Sequence, residues 1–455
     1  MVGLISALIL IPLVGALALF TAPERNARST ALLVNALAAF DALVLWRHFD
    51  IGAAGIQLVE RHPWIPAIGA EYLVGIDGLS LLLVLLTSLI IPFAFLAQRM
   101  DRGFYALMLI MQSALYGTFT AQNFVLWFLF YEMSLIPAFL LIKIWGGKNR
   151  DRAATKFFLY TFLGSVAMLL GFVGIYLARG SFDFATLAGL GKNGLLTGKL
   201  AWLAFAGIFL GLAVKVPLFP FHTWLPDAYE SAPTGVSMVL TGLLSKMGVY
   251  GFVRLLLPLF PNEIRIIGPW LLALAICSIV FAPLAAWAQS DLKRMVAYLS
   301  VNHLGYCMLG LFAVAVSSVG AAIDTQAADF GGLMQRTPLL CGWMSVAMFS
   351  SLGLPGLNGF IGEFLIFKGS FAITASFTAI AVIGLLVTAI VFIRAMQALF
   401  SGPLAGSCST FPDLLPREKI AIIPVTLLMF AIGLAPQFMF NILNTTVVQM
   451  ARLLS

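Results

Sequence analysis

Three ionisable residues stand where an apolar chain offers them no water. Glu132 lies within Phe128-Leu129-Phe130-Tyr131-Glu132-Met133-Ser134-Leu135-Ile136-Pro137, Lys215 within Leu212-Ala213-Val214-Lys215-Val216-Pro217-Leu218-Phe219-Pro220-Phe221, and Lys246 within Leu243-Leu244-Ser245-Lys246-Met247-Gly248. A charge inside a membrane span is costly, so such a residue marks either an ion pair or a path for ions or protons. Glu132 has no opposite charge within a helical turn, which argues against a local pair. Lys215 stands two residues before Pro217. A buried ammonium gives up its proton more readily than a solvated one, and a nearby carboxylate opposes that loss. Moving the carboxylate away therefore helps expel the proton. Lys246 is far from both ends of its apolar run and cannot reach water by stretching its stem. The chemistry these three imply is proton movement.

Two further residues are open to more than one reading. His303, in Ser300-Val301-Asn302-His303-Leu304-Gly305, is equally a satisfied core histidine or a relay group with a suitable ordinary pKa. Glu363, in Gly359-Phe360-Ile361-Gly362-Glu363-Phe364, has Lys368 five residues on as a possible partner. Other charges read as structural. Arg254 and Arg394 lie near span ends and are expected to reach the interface. Asp77, in Gly75-Ile76-Asp77-Gly78-Leu79-Ser80, is placed to cap a helix. His222, Asp227 and Glu230 are expected in a solvated connection.

Composition sets the elements that must hold these groups. Of 455 residues, 61% are hydrophobic and only 10% charged, against about half and about a quarter in a soluble protein. Lipid must cover such a chain. A spanning helix needs ~20 mostly apolar residues, and such runs lie at 2–20, 29–46, 73–97, 104–121, 122–144, 156–178, 200–217, 233–256, 266–289, 295–319, 338–372, 376–399 and 419–440. The fold class is therefore an all-α polytopic membrane protein with about 13 transmembrane helices. The whole chain, 1–455, reads as one membrane domain. Its first run lacks a basic start and a small-residue cleavage site, and reads as a retained helix.

Two runs are interrupted, near Pro217 and within Ser351-Leu352-Gly353-Leu354-Pro355-Gly356-Leu357-Asn358-Gly359. Proline withdraws a donor from the helix. Broken helices at matching places in two halves point to inverted repeats and to an ion site. The repeats are placed at 104–256 and 266–399. Lys148, Arg150, Arg152 and Lys156 mark the inside face. That rule also accounts for the net charge of +7 without nucleic acid. Cys277, Cys307, Cys341 and Cys408 stand alone, with no spacing for zinc or an iron–sulfur cluster. No dinucleotide fingerprint, phosphate loop or triad is present, so no covalent chemistry is expected in this chain.

The motifs now assembled resemble the subunit M family of proton-translocating NADH–quinone oxidoreductase (complex I), called chain 4 in mitochondria. The resemblance rests on Thr223-Trp224-Leu225-Pro226-Asp227-Ala228-Tyr229-Glu230-Ser231-Ala232-Pro233-Thr234, on Leu243 to Gly251, on Trp145-Gly146-Gly147 with Lys156-Phe157-Phe158-Leu159-Tyr160-Thr161, and on Asn358 to Phe364. It runs over nearly the whole chain. It implies an antiporter-like membrane subunit in which Glu132 and Lys215 match the glutamate–lysine pair. Lys246 and His303 match the central relay, and Glu363 the terminal carboxylate. It further implies neighbouring antiporter-like subunits, other complex I membrane subunits and lipids as partners, in a bacterial inner membrane. FMN, iron–sulfur clusters and quinone would sit in partner subunits, with no cofactor in this chain.

Three departures stand out. Tyr229 replaces a usual histidine, and Lys368 is an unusual second charge beside Glu363. The family normally has fourteen helices, whereas here the tenth span runs straight into Asp329-Phe330-Gly331-Gly332, so the eleventh helix is expected to be missing. Glu132 and Lys215 are 83 residues apart but His303 and Glu363 only 60, a shortfall of 23, about one span. Parity agrees, because thirteen spans leave Arg417 and Lys419 outside. Two other readings share the motifs: a subunit of a multi-subunit cation/proton antiporter or membrane-bound hydrogenase, and a scaffold that does not pump.

Overall fold

The computed structural model describes residues 3–21, 23–317, 338–400, 413 and 416–454. They pack as two compact units, one formed by Met1–Val216, Ser231–Ile266 and Asn441–Ser455, the other by Pro217–Glu230 and Ile267–Phe440. Among the described residues nine helices are long and apolar enough to cross a membrane, or ten if the bent pair Ile422–Leu434 with Gln437–Gln449 is one span. Hydrocarbon offers no hydrogen bonds, and a helix satisfies its backbone within one segment. Uninterrupted apolar sequence therefore becomes helix.

The first unit opens with α1 (Leu4–Leu19) and α2 (Ala27–His48). An antiparallel hairpin follows, β1 (Gln57–Ile65) paired with β2 (Ala70–Ile76). The sequence reading placed no strand here, and the hairpin stands within a chain that is otherwise mainly helical. Gly69, at φ 64°, closes the turn in the left-handed region that glycine tolerates. The apolar stretch Leu73 to Ile76, which reads as the start of the third span, is the end of β2. The helix α3 (Gly78–Ala97) begins later because Asp77 caps it, its Oδ1 accepting the Ser80 N–H at 2.9 Å. From β1, the Glu60 carboxylate accepts the Ile5 N–H at 2.7 Å and the Ser6 N–H at 3.2 Å. It thereby satisfies the open first turn of α1 with the charge that a helix N-terminus favours.

Beyond α3 come α4 (Arg102–Thr120), α5 (Phe124–Met133), α6 (Leu135–Trp145), α7 (Arg150–Arg179), α8 (Phe184–Lys192) and α9 (Gly198–Lys215). Pro137 has no N–H for the Met133 carbonyl, and the span formed by α5 and α6 is interrupted at Ser134. Small residues let α7 and α9 touch. A Cβ on Gly207 would lie 2.4 Å from the Ala167 carbonyl oxygen, and one on Gly211 2.7 Å from that of Gly164. Lipid supplies no hydrophobic drive for helix pairing, so close backbone approach supplies the dispersion contact instead. Gly211 is one turn before Lys215, so this contact sets where the lysine stands.

The chain continues through α10 (Trp224–Ser231) and the helix α11 (Thr234–Leu259), in which Leu240–Leu244 and Phe252–Leu256 are wide π-helical turns. Then come α12 (Pro261–Trp287), α13 (Leu292–Ser317), α14 (Pro338–Ser351), α15 (Asn358–Ile373), α16 (Ala375–Phe400), α17 (Pro416–Leu434) and α18 (Gln437–Leu454). The run 338–372 is thus two helices with a break between them. The final helix extends beyond 440, where apolar sequence gives out. In the second unit Ala286, Met295, Leu299, Met348, Val391 and Phe392 form an apolar core. The expected loss of the eleventh helix falls on 318–337, outside the described residues.

Arg254 does not reach for the interface. Its Nη2 lies 2.5 Å from Asp77 Oδ2, with 12% and 4% of the two side chains exposed. Its Nε donates to the Tyr250 hydroxyl at 3.2 Å, and that hydroxyl donates to the Phe119 carbonyl at 3.0 Å. A carboxylate is cheaper to reach than water from this depth, and the pair ties α11 to the start of α3. Asp77→Ala strips the cap and leaves a buried guanidinium alone, so it is expected to cost about 3–5 kcal/mol. Thermal unfolding of the purified protein in detergent checks this. The Asp77→Ala/Arg254→Met double variant should recover most of the loss, and a double variant as unstable as the single would remove the pair as its cause.

Candidate functional site

Lys215 is the last residue of α9, where Pro217 stops the hydrogen-bond ladder. The free carbonyls of a helix C-terminus favour a cation. The side chain turns inward, is 2% exposed, and its Nζ hydrogen-bonds nothing among the described residues. It lies 4.5 Å from the centre of the Tyr131 ring. Glu132, next to Tyr131 on α5, interacts electrostatically with Lys215 and accepts a hydrogen bond from Ser165 of α7. Its Oε1 is buried and has no hydrogen-bond partner among the described residues. Folding thus brings Glu132 within electrostatic reach of Lys215, and neither group is closed off by a full set of hydrogen bonds. Such a pair can exchange a proton without first breaking a rigid network.

Lys246 stands in α11 just after its first wide turn. Its Nζ donates to the Thr241 carbonyl at 2.8 Å, and Ser245 Oγ donates to the same oxygen at 3.0 Å. A π-helical turn leaves carbonyls out of the regular ladder, and such turns are frequent at functional sites. Gly248 brings this helix against the end of α9. A Cβ there would lie 2.7 Å from Val216 Cγ2 and 3.2 Å from Lys215 Cβ. Any side chain at 248 would push the two lysine-bearing helices apart.

In the second unit His303 on α13 meets Glu363 on α15. His303 Nδ1 lies 3.6 Å from Glu363 Oε1, with 3% and 7% of the side chains exposed. This is an ion-pair distance and too long for a hydrogen bond. The break between α14 and α15 reaches the same carboxylate. Gly353 sits at φ 66°, and a Cβ on it would lie 2.5 Å from Glu363 Oε2. Next to His303, Asn302 Nδ2 donates to the Ile279 carbonyl at 2.7 Å and Thr388 donates to Asn302 Oδ1 at 3.1 Å. These bonds fix α13 against α12 and α16.

Two expectations are corrected here. Lys368 is exposed and makes no ion pair with Glu363. Five residues turn a helix by about 140° beyond a full circle, so the two side chains leave on different faces. Asp227 and Glu230 are not in a solvated loop. They lie on α10, and Arg294 Nη1 holds them at 2.7 and 2.8 Å. His222 in the same connection is buried and packs beside Phe219 and Phe281. Tyr131, Ser165, Thr241 and Gly353 are contacts that sequence reasoning missed. The one signal was Tyr131's place beside Glu132.

The family model described as NADH:quinone oxidoreductase/Mrp antiporter, transmembrane, matches residues 121–326 and 310–390. NADH-quinone oxidoreductase subunit M of Rickettsia conorii is 36% identical over 484 positions, covering 98% of each chain. The chain 4 2 of NAD(P)H-quinone oxidoreductase from Thermosynechococcus vestitus is 35% identical, over 98% of this chain and 92% of its own length. A chain of respiratory complex I from Thermus thermophilus superposes with a TM-score of 0.87 at 28% identity, over 99% of this chain and 100% of its own. A chain of the Mrp complex from Dietzia sp. shares the fold at a TM-score of 0.83 and 20% identity, over 99% of this chain and 52% of its own.

Gly353→Ala is expected to cost about 1–2 kcal/mol from its left-handed backbone alone, and to displace the Glu363 carboxylate. Lys368→Gln should stay within about 0.5 kcal/mol of the native protein, as an exposed substitution does. Thermal unfolding of the two variants side by side checks the contrast.

Proposed function

Because the chain belongs to the NADH:quinone oxidoreductase/Mrp antiporter transmembrane family, we propose that it is a proton-translocating, multi-pass membrane subunit of a respiratory NADH–quinone oxidoreductase, complex I, of a bacterial inner membrane. The observation that carries this reading is the buried Lys215 ammonium, without a hydrogen-bond partner among the described residues and within the field of Glu132. A group held for structure alone would have its donors satisfied.

In this reading Lys215 takes a proton from the inside, and Glu132 tunes how firmly it is held. The proton passes by Lys246 and His303 to Glu363 and the outside. Residues 104–256 and 266–399 act as the two repeats, each with its own break. In the same reading α1, α4, the broken α14–α15 and α17 cross the membrane together with the nine apolar spans, for thirteen crossings in all. The match to the Rickettsia conorii subunit runs over 484 positions, more than the 455 residues of this chain. Redox energy comes from partner subunits that hold the FMN, iron–sulfur clusters and quinone, and neighbouring antiporter-like subunits and lipid flank this one.

Replacing Lys215 with Met in the assembled complex should slow proton transfer through this chain by at least about a hundredfold, the scale of a lost acid–base group. It should lower the protons pumped per NADH oxidised, and an unchanged ratio would reject the assignment. The fold shared with the Mrp complex keeps a cation/proton antiporter subunit as a second reading, which sodium-dependent transport without NADH would favour. Glu132→Gln should likewise lower pumping. Normal turnover and pumping in that variant, with disassembly on removing the chain, would favour a scaffold.

A further inference from the structure

We propose that Tyr131 is a positioning residue for proton transfer, its ring face binding the Lys215 ammonium at the end of α9 and releasing the neutral amine. The inference rests on the reading of Lys215 as a proton carrier. The ammonium nitrogen lies 4.5 Å from the ring centre, within the ~6 Å over which a ring face attracts a cation. Both residues are shut away from solvent, at 2% and 1% exposure. In water this attraction is diluted, whereas in a desolvated pocket it is at its strongest. Since Nζ hydrogen-bonds nothing among the described residues, the ring does for this charge what acceptor oxygens ordinarily do.

The ring is held ready for that task. Trp127, one turn back on α5, stacks on it with centres 4.6 Å apart and planes at 27°. Phe124 stacks in turn on Trp127 and on Phe172 of α7. Ser134 Oγ donates to the Tyr131 carbonyl at 2.7 Å, just where the span is interrupted. Adjacent residues on a helix diverge by about 100°, so the Tyr131 ring and the Glu132 carboxylate reach the ammonium from different directions. The attraction of a ring quadrupole needs a full charge. Loss of the proton therefore dissolves the contact with both partners at once, and the amine is free to move until it is charged again.

The test uses the assembled complex in sealed vesicles, with protons pumped per NADH oxidised as the readout. Tyr131→Phe keeps the ring and should leave this ratio at the native value, while Tyr131→Leu should slow transfer through this chain roughly tenfold and lower the ratio. Phenylalanines bearing one, two and three fluorines at 131 keep the shape and progressively weaken the ring face, so pumping should fall stepwise along the series. A flat series overturns the inference, and it decides the matter even if the leucine variant fails to assemble. Lys215→Met is measured alongside. If that variant pumps like the native complex, the proton-carrier reading itself fails. If it loses pumping and the fluorinated series is flat, the role of the ring alone is rejected.

Discussion

Hydrocarbon solvates neither charges nor hydrogen-bonding groups, and every feature of this chain answers to that. Its backbone is almost all helix because a helix closes its own hydrogen bonds. Polar groups within the chain then fall into two kinds. Asp77 and Arg254 are a closed site, with the carboxylate capping a helix and pairing with a guanidinium that is itself bonded to Tyr250. Glu132 and Lys215 are an open one, each with a buried atom that has no hydrogen-bond partner among the described residues. Closed sites fasten helices together. An open site holds free energy that a proton can release by binding or leaving.

Each of these groups stands where a helix is irregular. Lys215 ends α9 before a proline, Glu132 lies two residues before the interruption at Ser134, and Lys246 follows a π-helical turn. Glu363 is touched by the backbone of the break at Gly353. Irregular backbone exposes carbonyls and brings the main chain close to side chains, and both give a charged group somewhere to rest without water. The same irregularities weaken a helix, so tight packing must compensate nearby. Gly207 and Gly211 against α7, and Gly248 against the end of α9, do this by letting backbones touch.

Much of this was legible in the sequence. The apolar runs, the two breaks and the five ionisable residues inside spans could all be read directly, because the cost of a charge in lipid depends on the residue and its near neighbours along the chain. The capping role of Asp77 was legible for the same reason, since a cap acts over three residues. The β-hairpin was hidden because the apolar end of β2 has the hydropathy of a span. The wide turns in α11 were hidden because a π-turn changes the hydrogen-bonding ladder and leaves composition untouched.

Partnership was decided only by the tertiary structure. Sequence proximity suggested Lys368 for Glu363, but helical geometry separates them and packing supplies His303 from another helix. It suggested the interface for Arg254, but the fold places Asp77, 177 residues away, within reach. Which carbonyl meets Lys246, which ring faces Lys215 and which guanidinium holds Asp227 and Glu230 all depend on helices meeting side by side. The sequence by itself determined which side chains must be accounted for, because burial in lipid is written in local hydropathy. The tertiary structure decided what accounts for them, because a contact between helices depends on distances that no spacing along the chain contains.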